Sequence, residues 1–304
     1  MQFYESCGDQ IERIPINYLL MSELVSIIIP TYNRSETLCR AISSAVNQEY
    51  TDVEVVVVND GGDEKTTQNV VGDFVNVKLI HQSVNKGVSA ARNAGIRAAT
   101  GDYLLFLDDD DELDPNFLSQ IIAEKDLSAE VIIGYAQLKG DYSDPHFKKI
   151  KRYNEILYST FHNSPPASWN YFLQYMPAIH SMVFKVDVFK MIQFDEEINY
   201  GEDRLLMLNL QNKNVPIQVT QFCAGYYYYK RSNYSSKDVL AFIVRSRLEI
   251  TSGYGISYTH LLEAYLHVKN SNFGLAIRSM IHSFKSPYVV VKQFLLFLRL
   301  IKLR

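Results

Sequence analysis

The run Tyr103-Leu-Leu-Phe-Leu-Asp-Asp-Asp-Asp111 constrains this chain more than any other stretch: five largely apolar residues stop at four consecutive carboxylates. A short apolar run of this kind fits a buried strand. Four adjacent acids repel one another by roughly 1 kcal/mol per pair at about 4 Å in water, and by more near a protein surface. A hard divalent cation, which prefers oxygen ligands, relieves that repulsion. The run therefore reads as a strand delivering carboxylates to a metal at its C-terminal tip, where open α/β sheets bind ligands. A solvated acidic loop is the competing reading. A calcium loop of the EF-hand kind fails on spacing. Counted from Asp108, its turn-glycine position holds Leu113 and its closing-glutamate position holds Ser119.

The stretch before the acids repeats one alternation. Val25–Ile29, Val53–Val58 and Val77–Ile80 are short β-branched runs, the composition of strands buried on both faces of a parallel sheet. Between them, Ser35 reads as an N-cap for a helix over Glu36–Val46, and Ser89–Ala99 reads as an alanine-rich helix closed by Gly101. Strand-helix alternation at this spacing predicts right-handed βαβ units and an α/β fold with a mainly parallel, Rossmann-like sheet flanked by helices. Further on, the pattern predicts a helix over Asn116–Lys125 and strands over Val131–Tyr135 and His180–Lys185. It also predicts a helix from Gly201 to Asn212, a strand over Phe222–Tyr229 and several helices from Asp238 onward. Asp141–Pro166, polar and aromatic with little periodicity, reads as a mobile loop region over a cleft.

Several function classes drop out. The dinucleotide fingerprint GxGxxG and the Walker pattern GxxxxGK[ST] are both absent. A formal net charge of −4 gives no electrostatic footprint for nucleic acid. Three cysteines, Cys7, Cys39 and Cys223, have no metal-ligand spacing and point to a reducing compartment. Residues 1–24 carry Glu5, Asp9 and Glu12 without a long apolar run, so they read as an extension with no secretory signal, poorly ordered before the fold begins at Val25. Residues 287–304, PYVVVKQFLLFLRLIKLR, place Val291, Phe294, Leu295, Leu298 and Ile301 on one helical side among four cations. Such a helix suits an anchor on an anionic membrane surface; packing on the body of the protein or in a homodimer is the alternative.

Five motifs in order give a resemblance. They are Val25-Ser-Ile-Ile-Ile-Pro-Thr-Tyr-Asn-Arg34, Val58-Asn-Asp-Gly-Gly62, Asn85-Lys-Gly-Val-Ser-Ala-Ala-Arg-Asn-Ala-Gly95, Gly101–Asp111 and Gly201-Glu-Asp203. Together they resemble the family 2 glycosyltransferases, the inverting group with a GT-A fold. The resemblance covers about residues 25–235 and leaves 236–304 as a helical region with the amphipathic tail. It implies a nucleotide-sugar donor, expected to be UDP-linked, and a Mn²⁺ or Mg²⁺ ion. The QxxRW motif and the several membrane spans of processive members are missing, which points to transfer of one sugar at a time.

The resemblance also implies roles. Asp108 and Asp110 match the family's DxD acids, Asp108 near the ribose and metal waters and Asp110 as direct metal ligand. Asp109 takes the variable middle position beside the donor, and Asp111 has a loop-stabilising or helix-capping alternative. Asp60 would accept from the base's imide N–H, although Asn-Asp-Gly-Gly is also strong turn chemistry. Pro30, Thr31 and Asn33 would wall the nucleotide pocket, while Arg34 reads as a solvated residue at a helix start. Arg92 would brace the base or the acidic loop; a salt bridge to the acids without donor contact is the alternative. Asp203 is the candidate general base, since inversion needs a carboxylate near the acceptor hydroxyl; acids are also common in first helical turns. From position alone, His180, a lone histidine before a strand, would line the acceptor cleft, and Lys230-Arg231 would meet a diphosphate or an anionic acceptor, with a strand-edge charge pair as the equal alternative.

The expected function is transfer of a single sugar to a glycan or glycolipid acceptor. It would serve bacterial cell-surface polysaccharide or lipopolysaccharide assembly, in the cytoplasm and peripheral on the inner membrane face. A sugar-phosphate nucleotidyltransferase and a non-catalytic sugar-nucleotide-binding protein are the alternatives.

Overall fold

The structure, a computed structural model, describes residues 23–140, 143, 178–228 and 279. Expectations for residues 1–22, the loop after Asp141, Lys230-Arg231, the helices beyond Asp238 and the 287–304 tail lie outside these residues.

β1 (Val25–Thr31), β2 (Val53–Asn59), β3 (Val77–His81) and β4 (Tyr103–Phe106) run parallel in the order β3-β2-β1-β4. β1 lies between β2 and β4, and all seven of its residues are buried. Its side chains alternate between two cores. Ile27 and Ile29 face Leu38, Ala41 and Ile42 of α1 (Ser35–Val46), and Phe117 and Ile121 of α4 (Phe117–Glu124). Ile28 faces Ala91 of α3 (Val88–Ala98) and a cluster containing Leu206 and Leu210 of α6 (Glu202–Asn212). Each such side chain, fully buried, contributes about 1.5–3 kcal/mol. The runs of β1 and most of β2 are therefore buried on both faces, as their composition predicts, whereas β3, at the sheet edge, has no buried residue.

The alanine-rich helix has a packing reason. A Cβ added at Gly95 would lie 2.3 Å from Ile28 Cγ2, so α3 must present a bare backbone to approach β1. That close approach fixes where the start of α3 meets the strand ends.

The sheet continues as β4-β7-β6-β8-β5, with β5 (Glu112–Leu113), β6 (Val131–Lys139), β7 (Met182–Lys185) and β8 (Ile217–Tyr228). β7 is antiparallel to both β4 and β6, and β5 is antiparallel to β8. Phe106 packs edge-on against Phe184 and Phe189, and against Phe194 at 5.0 Å between centroids. This aromatic cluster closes the core under the acidic run.

Some sequence expectations shift. α1 begins at Ser35 itself, with Arg34 at the cap position and no side-chain cap bond. α2 (Glu64–Gly72) was not expected; Asp63 caps it by accepting from Thr66 N–H at 2.6 Å. The segment at His180 starts with a 3-10 turn over Ile179–Ser181 before β7. β8 begins five residues before the expected Phe222, and a short helix α5 (Val188–Met191) follows β7. Among the described residues no helix is long and apolar enough to cross a membrane.

Candidate active site

The chain runs from β1 outward to β2 and β3, then returns to β4 on the other side of β1. A crevice opens where the strand order reverses in this way. It is flanked by the loops after β1, β2 and β4, and the residues singled out by sequence converge there.

The loop after β2 is built around Asp60 and Gly61. Asp60 is buried, and its two carboxylate oxygens accept from the backbone N–H groups of Lys86 and Gly87, both at 2.8 Å. Gly61 has φ +72°, and an added Cβ would lie 2.3 Å from Asn85 N, so only glycine fits against that segment. Asp60 therefore clamps the entry to α3. Each oxygen keeps a second lone pair, the one a base N–H would use. Asn33, at φ +54°, accepts from Asp63 N–H at 2.8 Å and joins the first loop to the second. Pro30 and Thr31 are buried at the end of β1.

The four acids divide into separate jobs. Asp109 lies inside the turn, not on its open side. Thr31 Oγ1 donates to its Oδ2 at 2.7 Å, and Arg34 Nη1 donates to its Oδ1 at 2.9 Å. Burial pushes its carboxyl up to about 6, against the opposing pull of Thr31 and Arg34. Asp111 is also buried: Tyr228 N–H donates to its Oδ1 at 3.0 Å, and His180 Nδ1 lies 3.2 Å from its Oδ2. It ties the turn to β8 and to the lead into β7, the loop-stabilising alternative. His180, fully buried, is this acid's neighbour. Burial raises the Asp111 carboxyl, and His180 opposes that rise.

Asp108 and Asp110 remain the more open pair, their side chains 34% and 16% exposed. Arg92 Nη2 donates to Asp108 Oδ1 at 2.7 Å, and Arg34 Nη1 donates to Asp110 Oδ2 at 3.0 Å. Arg40 Nη2 donates to the Asp110 carbonyl at 2.7 Å and fixes the backbone of the turn.

Arg92 joins the two halves of the site. Its side chain is 2% exposed, and its Nη1 donates to Glu202 Oε1 at 2.9 Å. Burial works against its charge, but Asp108 and Glu202 together hold it firmly protonated. One guanidinium thus spans the acid turn after β4 and the start of α6. Asp203, next to Glu202, accepts from the Arg204 N–H at 2.7 Å. Burial, and then the Glu202 charge, push its carboxyl up to about 6, while Arg204 and Arg92 pull it down.

The residues of this turn fit a divalent ion of the hard class. The open donors are carboxylate oxygens, and each open acid already faces a cationic side chain. Among the described residues no set of three His, Cys, Asp or Glu side chains forms a complete cage. Such an ion would rest on Asp108 and Asp110 together with oxygens of the substrate, as Mg²⁺ commonly does beside phosphates.

Residues 26–194 match the family described as Glycosyl transferase family 2. The chain belongs to that family. It is 30% identical over 199 residues to the succinoglycan biosynthesis protein ExoO of Rhizobium meliloti, a match covering 60% of this chain and 54% of ExoO. The chain spans from a quarter to about half the length of the curated relatives it matches. Two solved structures share the fold. TarS of S. aureus in complex with UDP has TM-score 0.58 and 21% identity, covering 86% of this chain and 81% of that one. The mannosyltransferase PcManGT of Pyrobaculum calidifontis, in complex with GDP-Man and Mn²⁺, has TM-score 0.57 and 14% identity, covering 86% and 74%. The fold is thus α/β and GT-A-like, with a mostly parallel sheet.

Two residues outside the expected site prove central to its geometry. Arg34, read as a solvated helix-start residue, bridges Asp109 and Asp110. Glu202, quoted within the Gly201-Glu-Asp203 motif but given no role, is the second anchor of Arg92. Their partners are 75 and 110 residues away, and no local spacing carries that information.

Proposed function

We propose that this chain is an inverting, single-addition glycosyltransferase. It moves one sugar from a nucleotide-diphosphate donor, UDP-linked, to a glycan or glycolipid acceptor of bacterial cell-surface polysaccharide or lipopolysaccharide assembly. The observation that carries the reading is Arg92, which ties Asp108 of the acid turn to Glu202 beside Asp203. The similarity to ExoO supports the surface-polysaccharide acceptor, the GDP-Man-bound PcManGT supports a nucleotide-sugar donor, and the UDP-bound TarS supports its UDP linkage.

In this reading Asp203 takes the proton of the acceptor hydroxyl. The acceptor oxygen bonds to the anomeric carbon on the face opposite the diphosphate. The bond from that carbon to the phosphate oxygen breaks, and its electron pair leaves with the nucleoside diphosphate. A divalent ion held by Asp108 and Asp110 supplies charge neutralisation for that leaving group when bound. Pro30, Thr31 and Asn33 wall the nucleotide, and Asp60 orients the base.

Incubation with donor and an acceptor panel should release nucleoside diphosphate, not pyrophosphate, and only with Mn²⁺ or Mg²⁺ present. EDTA and Asp110→Asn should each reduce transfer to background. If both leave it intact, the metal role of the acid turn is wrong.

The basic, apolar 287–304 segment would hold the enzyme peripherally on the inner face of the cell membrane. Deleting residues 287–304 should move the protein from the membrane fraction to the soluble one. Unchanged fractionation would make the segment a packing or homodimer element.

A further inference from the structure

We propose that Arg34 is the resident counter-cation of the acid turn, one that a divalent ion must displace from Asp110, so that its charge holds down the turn's affinity for metal. The inference rests on the assignment of Asp108 and Asp110 to the ion.

The two arginines of the turn differ in kind. Arg92 is buried and doubly anchored at 2.7 and 2.9 Å, so it is a fixed part of the scaffold. Arg34 is 51% exposed, and one nitrogen, Nη1, serves both Asp109 at 2.9 Å and Asp110 at 3.0 Å. A half-exposed pair of this sort is weak and opens readily. Asp109 does not depend on it, because Thr31 also donates to that carboxylate. Nor is Arg34 needed as a helix cap, since its side chain makes no cap bond to α1.

Asp110 Oδ2 therefore faces a positive charge in the place where a metal ligand must face an ion. A guanidinium and a divalent ion cannot both sit at full strength on one small carboxylate. At such separations they also repel each other. Arg34 must swing away as the ion arrives, and its long exposed stem allows that. The cost of parting this pair is subtracted from metal binding.

The test counts free Mn²⁺ by its electron paramagnetic resonance signal during titration of the full chain with Mn²⁺ alone. Arg34→Gln keeps a hydrogen-bonding side chain but removes the charge. It should tighten Mn²⁺ binding by about tenfold at low salt, the scale of a unit charge near a divalent ion in a watery site. The gain should shrink as salt is raised, because the charge is exposed. Arg34→Lys keeps the charge and should stay closer to the parent than Arg34→Gln does. Unchanged or weaker binding in Arg34→Gln overturns the proposal, as does equal tightening in Arg34→Lys. Asp110→Asn separates the two claims. If it binds Mn²⁺ as the parent does, the ion assignment itself fails. If it loses binding while Arg34→Gln stays at the parent value, only the counter-cation role fails. Tightening that survives in the double variant R34Q/D110N places the ion elsewhere and overturns both.

Discussion

Asp203→Asn should lower the rate of sugar transfer by about 10²–10⁴-fold, the usual worth of a positioned general base, while donor affinity stays within a few-fold of the parent. Asn has nearly the same shape and can still accept from the Arg204 N–H that holds Asp203 at 2.7 Å. What it cannot do is take a proton. Burial and the adjacent Glu202 hold the Asp203 carboxyl up at about 6. A base of that strength is ionised at neutral pH yet takes up a proton more readily than an ordinary aspartate, whose value is about 3.9. The parent's kcat/KM should therefore rise with pH through about 6, as the carboxylate forms, and the residual rate of the variant should lack that limb. Stability should move the other way. A carboxyl whose folded value is raised binds more protons folded than unfolded, so its contribution worsens as pH climbs from about 4 to 6. Removing the charge at pH 7 should leave the melting temperature unchanged or higher. Loss of donor binding and stability together with rate would show that Asp203 is a scaffold residue. Full retention of transfer would place the base elsewhere.

The contrast between Asp203 and Arg34 shows what the amino-acid order carries. The frame of the fold was legible because burial on two faces demands continuous apolar runs: β-branched in β1 and β2, and Tyr-Leu-Leu-Phe in β4. α2 was not, because only Thr67 and Val71 of that helix are buried and it has little apolar periodicity. β5 is two residues long and exists only by pairing with β8. The antiparallel seat of β7 between β4 and β6 depends on how the chain returns, and its four residues do not encode direction. In the site, the acids were legible as a group because four adjacent like charges need a reason. Their division of labour came only from the family resemblance, because nothing local to the run decides it. Which of Asp108, Asp109, Asp110 and Asp111 turns inward is set by Thr31, Arg34, Tyr228 and Arg92, most of them 70 or more residues distant.

Arg92→Met tests the joint on which the site depends. Methionine preserves much of the apolar stem, which lies near Phe194 with the guanidinium carbon 5.2 Å from the ring centroid. It removes both charge-assisted hydrogen bonds. Breaking a buried ionic link from one side costs about 3–5 kcal/mol, because the partners keep their charges and lose their compensation. Asp108 is 34% exposed and can recover some hydration, whereas Glu202 at 13% recovers less. The lower end, about 3 kcal/mol, is therefore expected, a fall of about 4–6 °C in melting temperature for a chain of 304 residues. Arg92→Lys keeps a charge but not the fork, and one ammonium cannot reproduce both bonds of the guanidinium. It should recover part of the stability and little of the transfer, since the acid turn and the start of α6 would no longer be held by one rigid plane. A deficit below about 1 kcal/mol, within reach of an ordinary surface ion pair, would show that the turn and the base are positioned independently. The same conclusion would follow if Arg92→Lys restored transfer in full.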